Sequence, residues 1–143
     1  RELLTKYELT LEEDDDAEEI IEELQMTLES AFKPKGFVVP KKLSFDMDLN
    51  PDDADDSIYE SFTNYSICKL EVIYTVAKTR PDAAAFAPCT TMIYKKRGEN
   101  KIVLGFPSVY NWMSSALVGD KESLDALMKA QKDFESILQE VTE

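Results

Sequence analysis

Histidine is absent from all 143 residues. Without it, Ser-His-Asp and Cys-His nucleophilic systems, His-ligated haem and histidine-bearing zinc sites cannot be assembled within this chain. Glycine is nearly as scarce. The four, at positions 36, 98, 105 and 119, match neither the G-x-x-x-x-G-K nor the G-x-G-x-x-G spacing that lets backbone N–H groups cradle phosphates. Cysteine occurs twice, as Cys68 and Cys89. The pair forms no C-x-x-C motif and supplies half of a four-ligand structural metal site. No run approaches the roughly 18 consecutive apolar residues that span a bilayer.

What is present is ordinary for a globular chain: 43% hydrophobic and 31% charged residues. A chain of this length buries roughly two thirds of its unfolded surface, so one domain with a proper core, free of staples, is the expectation. The net charge of −13 is unevenly placed. Residues 1–67 hold 6 Lys and Arg against 19 Asp and Glu, whereas residues 68–143 hold 10 of each. Such an acidic half repels phosphate backbones and anionic lipid, which argues against nucleic-acid and membrane partners and fits a solvated face. The chain opens on Arg1 rather than methionine. Two locations stay open on that basis: exported or periplasmic after loss of an N-terminal signal, or cytoplasmic.

Residues 7–12 alternate apolar and polar as a half-buried strand does. Ala17, Ile20, Ile21, Leu24, Leu28 and Ala31 or Phe32 then recur at helical spacing, with Asp14, Asp15 and Asp16 as the capping run. Lys33-Pro34-Lys35-Gly36 ends that helix. Residues 37–39 and 43–49 read as extended, with Pro40 marking an edge or a bend. Residues 50–57 read as a loop, followed by a short helical turn over 58–62. Leu70, Ile73, Tyr74 and Ala77 predict a helix over 69–79, closed by Pro81. Residues 89–95 and 101–106 predict a hairpin turning at Gly98. Residues 108–118 form a mixed segment. Asp120 opens a last helix with Leu124, Leu127, Met128, Phe134, Ile137, Leu138 and Val141 as its buried stripe. The order predicts an α+β fold: one compact domain, a mostly antiparallel sheet and helices on one face.

The acidic stretch invites a calcium reading, because Asp46, Asp48 and Asn50 reproduce the first three ligand positions of an EF-hand loop. The remainder fails, with Pro51 where the loop needs glycine and Ser57 where it needs a bidentate glutamate. No metal site and no cofactor is assigned. Three readings of Cys68 and Cys89 stay open: two small buried hydrophobes, a disulfide in an exported protein, or a thiol pair used for redox, persulfide or soft-metal chemistry. Cys68 falls at the predicted start of a helix, where a thiolate is stabilised. Phe106, Tyr110 and Trp112, with Met113, are candidates to line a ligand cleft, against a plain role in the core.

The order of Ile67-Cys68, a helix, Arg80-Pro81-Asp82, Phe86-Ala87-Pro88-Cys89, a strand ending Ile93-Tyr94, a glycine turn and a second strand resembles the domain of unknown function 302 family over residues 7–141. Two departures stand out: a longer, more acidic stretch over 50–64, and Lys69-Leu70 where the family carries asparagine-proline. The resemblance implies a TATA-binding-protein-like fold, homodimers and a matching pair of cysteines, and it implies no catalytic residue. The expected function is a homodimeric ligand- or partner-binding module without assignable catalysis, its pocket near Cys68, Cys89, Phe106, Tyr110 and Trp112. The alternative is a thiol-dependent redox or sulfur-handling protein.

Overall fold

A computed structural model describes residues 4–44, 58–87 and 89–143. Five strands run β1 (Leu4–Thr10), β2 (Val38–Ser44), β3 (Tyr59–Cys68), β4 (Cys89–Lys96) and β5 (Lys101–Pro107). They form one sheet in the order β1-β5-β4-β3-β2 with every neighbour antiparallel. The four α-helices are α1 (Ala17–Phe32), α2 (Leu70–Ala77), α3 (Tyr110–Ser115) and α4 (Lys121–Thr142), and short 3-10 turns occupy Lys33–Lys35 and Pro81–Phe86. This is the expected single compact α+β domain.

The helix boundaries follow from their caps. The Asp16 carboxylate accepts from the Glu18 and Glu19 backbone N–H groups at 3.1 and 3.4 Å, satisfying donors that the first turn leaves unpaired. Asp120 does the same for α4, accepting from Ser123 N at 3.0 Å, and also accepts from the Thr79 hydroxyl at 2.7 Å. The Thr79 bond, and behind it those from Ser123, holds the Asp120 carboxyl down at about 2. Through Thr79, the end of α2 is therefore tied to the start of α4. Gly98 turns the β4–β5 hairpin at φ +85°, a conformation that a Cβ disfavours.

Several expectations need correcting. The first strand covers 4–10 rather than 7–12. Val38–Ser44 is one strand, β2, running through Pro40 on the sheet edge that tolerates a residue without an N–H; its register shifts between Val38 and Lys41. Phe45, Asp46, Met47, Asp48, Leu49 and the 50–57 loop, including the acids weighed for calcium, lie outside the described residues. No helical turn covers 58–62; Tyr59 starts β3, which pairs with β4 from Tyr59↔Lys96 to Ile67↔Cys89. On α2 the stripe is rotated: Leu70 and Tyr74 are 66% and 70% exposed, while Val76 is fully buried and Val72 and Ile73 pack beside it.

Two apolar clusters occupy the helical side of the sheet. The larger packs Ile21, Leu24, Leu28 and Phe32 of α1 and Phe134, Ile137 and Leu138 of α4 against Tyr65, Ile67, Ile93, Ile102, Leu104 and Phe106. The smaller gathers Val76, Ala83, Val109, Trp112, Val118 and Leu127 from α2, the Pro81–Phe86 turn, α3 and the first turns of α4. By strand alternation, Phe62 and Tyr94 point to the opposite face, where they stack at 5.6 Å with Tyr59 against both.

Candidate functional site

The two clusters do not close on each other completely. At their junction lies an apolar cavity of about 30 Å3, room for one or two waters, bounded by the ends of β3 and β5, the start of β4, and helices α2, α3 and α4. Cys68, Cys89, Phe106 and Trp112 all line it; Tyr110, half-buried two residues before Trp112 on α3, is not among the lining residues.

Each thiol owes its place to the sheet. Cys89 opens β4 with its neighbour Thr91 and then Ile93 on the core side, and it is the partner of Ile67 in the β3–β4 ladder. Cys68 is the residue after Ile67. It is the last residue of β3, not the first turn of a helix: the chain passes through extended Lys69 before α2 begins. The expected helix-start stabilisation of its thiolate is accordingly absent, and desolvation pushes the Cys68 pKa up. Cys89 is pushed up to about 11, by burial first and then by the nearby Cys68, partly offset by a hydrogen bond with the Trp112 side chain. The Trp112 indole N–H is that side chain's donor, so the Cys89 sulfur is the acceptor. Both cysteines are free thiols, and at neutral pH both are protonated.

The polar groups of the wall are few, and two escaped the sequence reading. Gln131, 2% exposed, accepts from the Val109 backbone N–H at 3.0 Å and donates to Thr5 and Glu135 at 3.3 and 2.9 Å. It fixes the entry to α3 and with it the position of Trp112. Its signal was faint, since a glutamine inside an otherwise apolar helical stripe looks like surface. Lys69 is also among the lining residues, its ammonium 5.7 Å from the Phe37 ring centroid. Gly36 makes room for that side chain, because a Cβ there would meet the Lys69 Cε at 3.3 Å and Gly36 itself sits at φ +85°.

A wider groove of about 480 Å3 runs beside α1, lined by Glu18, Glu22, Gln25, Lys42 and Glu60. Glu60 is committed to Lys95 at 2.9 Å and Lys42 to Gln25 at 3.0 Å, so it is the solvated acidic face expected from composition. Among the described residues no group of three or more Cys, Asp or Glu is arranged to hold a metal ion, and no helix is long and apolar enough to cross a membrane.

An antiparallel sheet with helices on one side and a seam lined by both cysteines at its end defines an α+β domain. The family model "Domain of unknown function DUF302" matches residues 14–141, and the chain belongs to that family. It is similar to the crystal structure of an uncharacterized conserved DUF302 protein from Bacillus stearothermophilus, with a TM-score of 0.74 at 17% identity over 99% of this chain and 98% of that one. That likeness shows the shared fold. No curated protein matches the chain.

Proposed function

We infer that the chain is a small homodimeric binding module whose ligand lodges at the seam between the two cores. The supporting observation is the cavity itself: an almost wholly apolar wall with few polar groups on it, Lys69 and two neutral thiols, is the pattern of a binding site. Protonated thiols serve such a wall better than they serve nucleophilic attack, which requires thiolate. At about 30 Å3 the void admits only very small guests. Dimerisation is supported by the resemblance and by the Tyr59–Phe62–Tyr94 ring cluster on the sheet face away from the helices, an apolar surface suited to a second copy.

Xenon titration followed by NMR tests the site: shifts confined to the amides of Cys68, Ala87, Cys89 and Trp112 are expected, and a saturating titration that moves none of them removes the reading. Sedimentation tests the assembly, with twice the 16.3 kDa chain mass expected. The alternative, a thiol-dependent redox or sulfur-handling protein, is favoured by one observation: both cysteines line one cavity and Cys89 senses the charge of Cys68. A mild disulfide oxidant separates the two readings. Loss of both titratable thiols with no gain in mass beyond two hydrogens lost supports a redox pair; two unreacted thiols eliminate it.

A further inference from the structure

We propose that two copies of the chain join through the outer edge of β1, the two strands pairing antiparallel about a two-fold axis at Tyr7. The proposal deepens the dimeric reading above, rests on it for the second copy, and assigns the contact to a strand edge rather than to the ring face.

The sheet ends in two edges, β1 and β2. An edge strand presents unpaired backbone N–H and C=O groups, and proteins blunt it with proline, lysine or a bulge. β2 carries all three: Pro40, Lys41-Lys42 and the register shift between Val38 and Lys41. β1 has neither proline nor shift and stays in register with β5 from Leu4↔Pro107 to Thr10↔Lys101. Its outward groups follow from the ladder. The Leu11 N–H donates to the Asn100 carbonyl at 2.7 Å. Backbone direction alternates along an antiparallel strand, so Thr5, Tyr7 and Leu9 turn their groups to β5, and Lys6 and Glu8 turn theirs outward. Among the described residues no strand pairs with that edge.

The side chains decide the occupant. Lys6 and Glu8 are exposed on the face away from the helices, while Tyr7 and Leu9 pack against the larger core. A two-fold at Tyr7 sets Lys6 of each copy directly opposite Glu8 of the other, at hydrogen-bonded positions of the new ladder, where opposite charges attract. Neighbouring registers are disfavoured: an axis at Lys6 brings two lysines together, and an axis at Glu8 two glutamates. A slip by one residue would put the charged side chains on the core face. Lys101, 3.3 Å from Glu8, adds a second positive charge beside the cross-copy pair. The contact is isologous and therefore closes at two chains. The ring face has the weaker claim, because its three rings are half-buried against one another and one face of an antiparallel sheet can stay solvated.

The test is sedimentation of the intact chain with two charge reversals at these exposed positions. The wild type is expected at twice the 16.3 kDa chain mass. Lys6→Glu and Glu8→Lys each set like charges across the axis and should raise the dissociation constant about tenfold or more. An equimolar mixture of the two variants should associate again, since each supplies the charge that the other lacks. Slowed hydrogen exchange at the Lys6 and Glu8 amides on dimerisation reports the new backbone bonds, which a change in surface charge alone would not produce. A dimer that survives both reversals with those amides unprotected overturns the edge contact and leaves the dimeric reading standing; its loss in Phe62→Asp would then give the contact to the ring face. A wild type that stays monomeric at every concentration removes both.

Discussion

In the larger core four phenylalanines touch one another: Phe134 meets Phe32, Phe37 and Phe106 at centroid distances of 4.9, 5.0 and 4.7 Å, and Phe32 meets Phe37 at 5.4 Å. The smaller core has one buried ring, Trp112, among valine, alanine and leucine. Its helices α2 and α3 have eight and six residues, too short to hold their shape without tertiary support. Interlocking rings, two of them on the long helices α1 and α4, fill space. Small side chains on short helices leave a gap where the two cores meet, and that gap holds both cysteines. The difference teaches where rigidity and adaptability have been divided in this fold: stability rests on the ring cluster, and the capacity to admit a guest rests on the seam.

The strongest way to break this comparison is Phe134→Ala. Removing the ring common to three contacts should cost about 3–5 kcal/mol in chemical denaturation, and a loss below about 2 would show that the ring cluster is not the dominant core. The next probe is the reactivity of the seam. With its pKa raised from 9.0 to about 11, Cys89 should alkylate at pH 8 about 100-fold more slowly than an ordinary thiol. The same shift gives a sign for stability. A folded-state pKa above the unfolded one contributes fully below pH 9.0 and is lost as pH rises through about 11, so the melting temperature should fall across that window. Cys89→Ala should flatten the fall, and an equally steep fall in that variant would assign it to other groups. Gln131→Leu comes third. It leaves the Val109 N–H buried without its acceptor, which should cost about 1–3 kcal/mol and loosen Trp112, measured as a red-shifted emission; unaltered emission would place α3 under other control.

The sequence carried the two cores unequally as well. Around the larger core the periodicity was plain, because Ile21, Leu24, Leu28, Phe134, Ile137 and Leu138 are apolar at helical spacing and all are buried. The hairpin was plain because Gly98 interrupts two alternating runs. β3 was hidden, since its core-facing positions include Thr63 and Tyr65, whose polar atoms mask a period of two, although both are buried. The α2 stripe misled because Leu70, Val72, Ile73, Tyr74 and Val76 are all apolar, so periodicity alone could not choose a face; contact with Ala83 and Leu127 chose it. At the site, the cysteines, Phe106 and Trp112 stood out by residue type. Lys69 and Gln131 did not, because their roles depend on a Gly36 turn and an α4 register that no local pattern encodes.

The smallest effect has the most specific sign. Val72 lines the void, and Val72→Ile adds one methylene to a space of about 30 Å3. Filling it should stabilise the protein by up to about 0.8 kcal/mol while weakening xenon binding. The corresponding enlargement in the ring-packed core, Leu28→Phe, should destabilise by about 1–3 kcal/mol, since Leu28 is 1% exposed within the larger core. Paired denaturation curves decide the matter. Opposite signs mean that the seam is a real vacancy kept open in an otherwise filled interior. A loss of stability in both variants would mean that the seam is already packed, and the cavity would then be a poor place to look for a ligand.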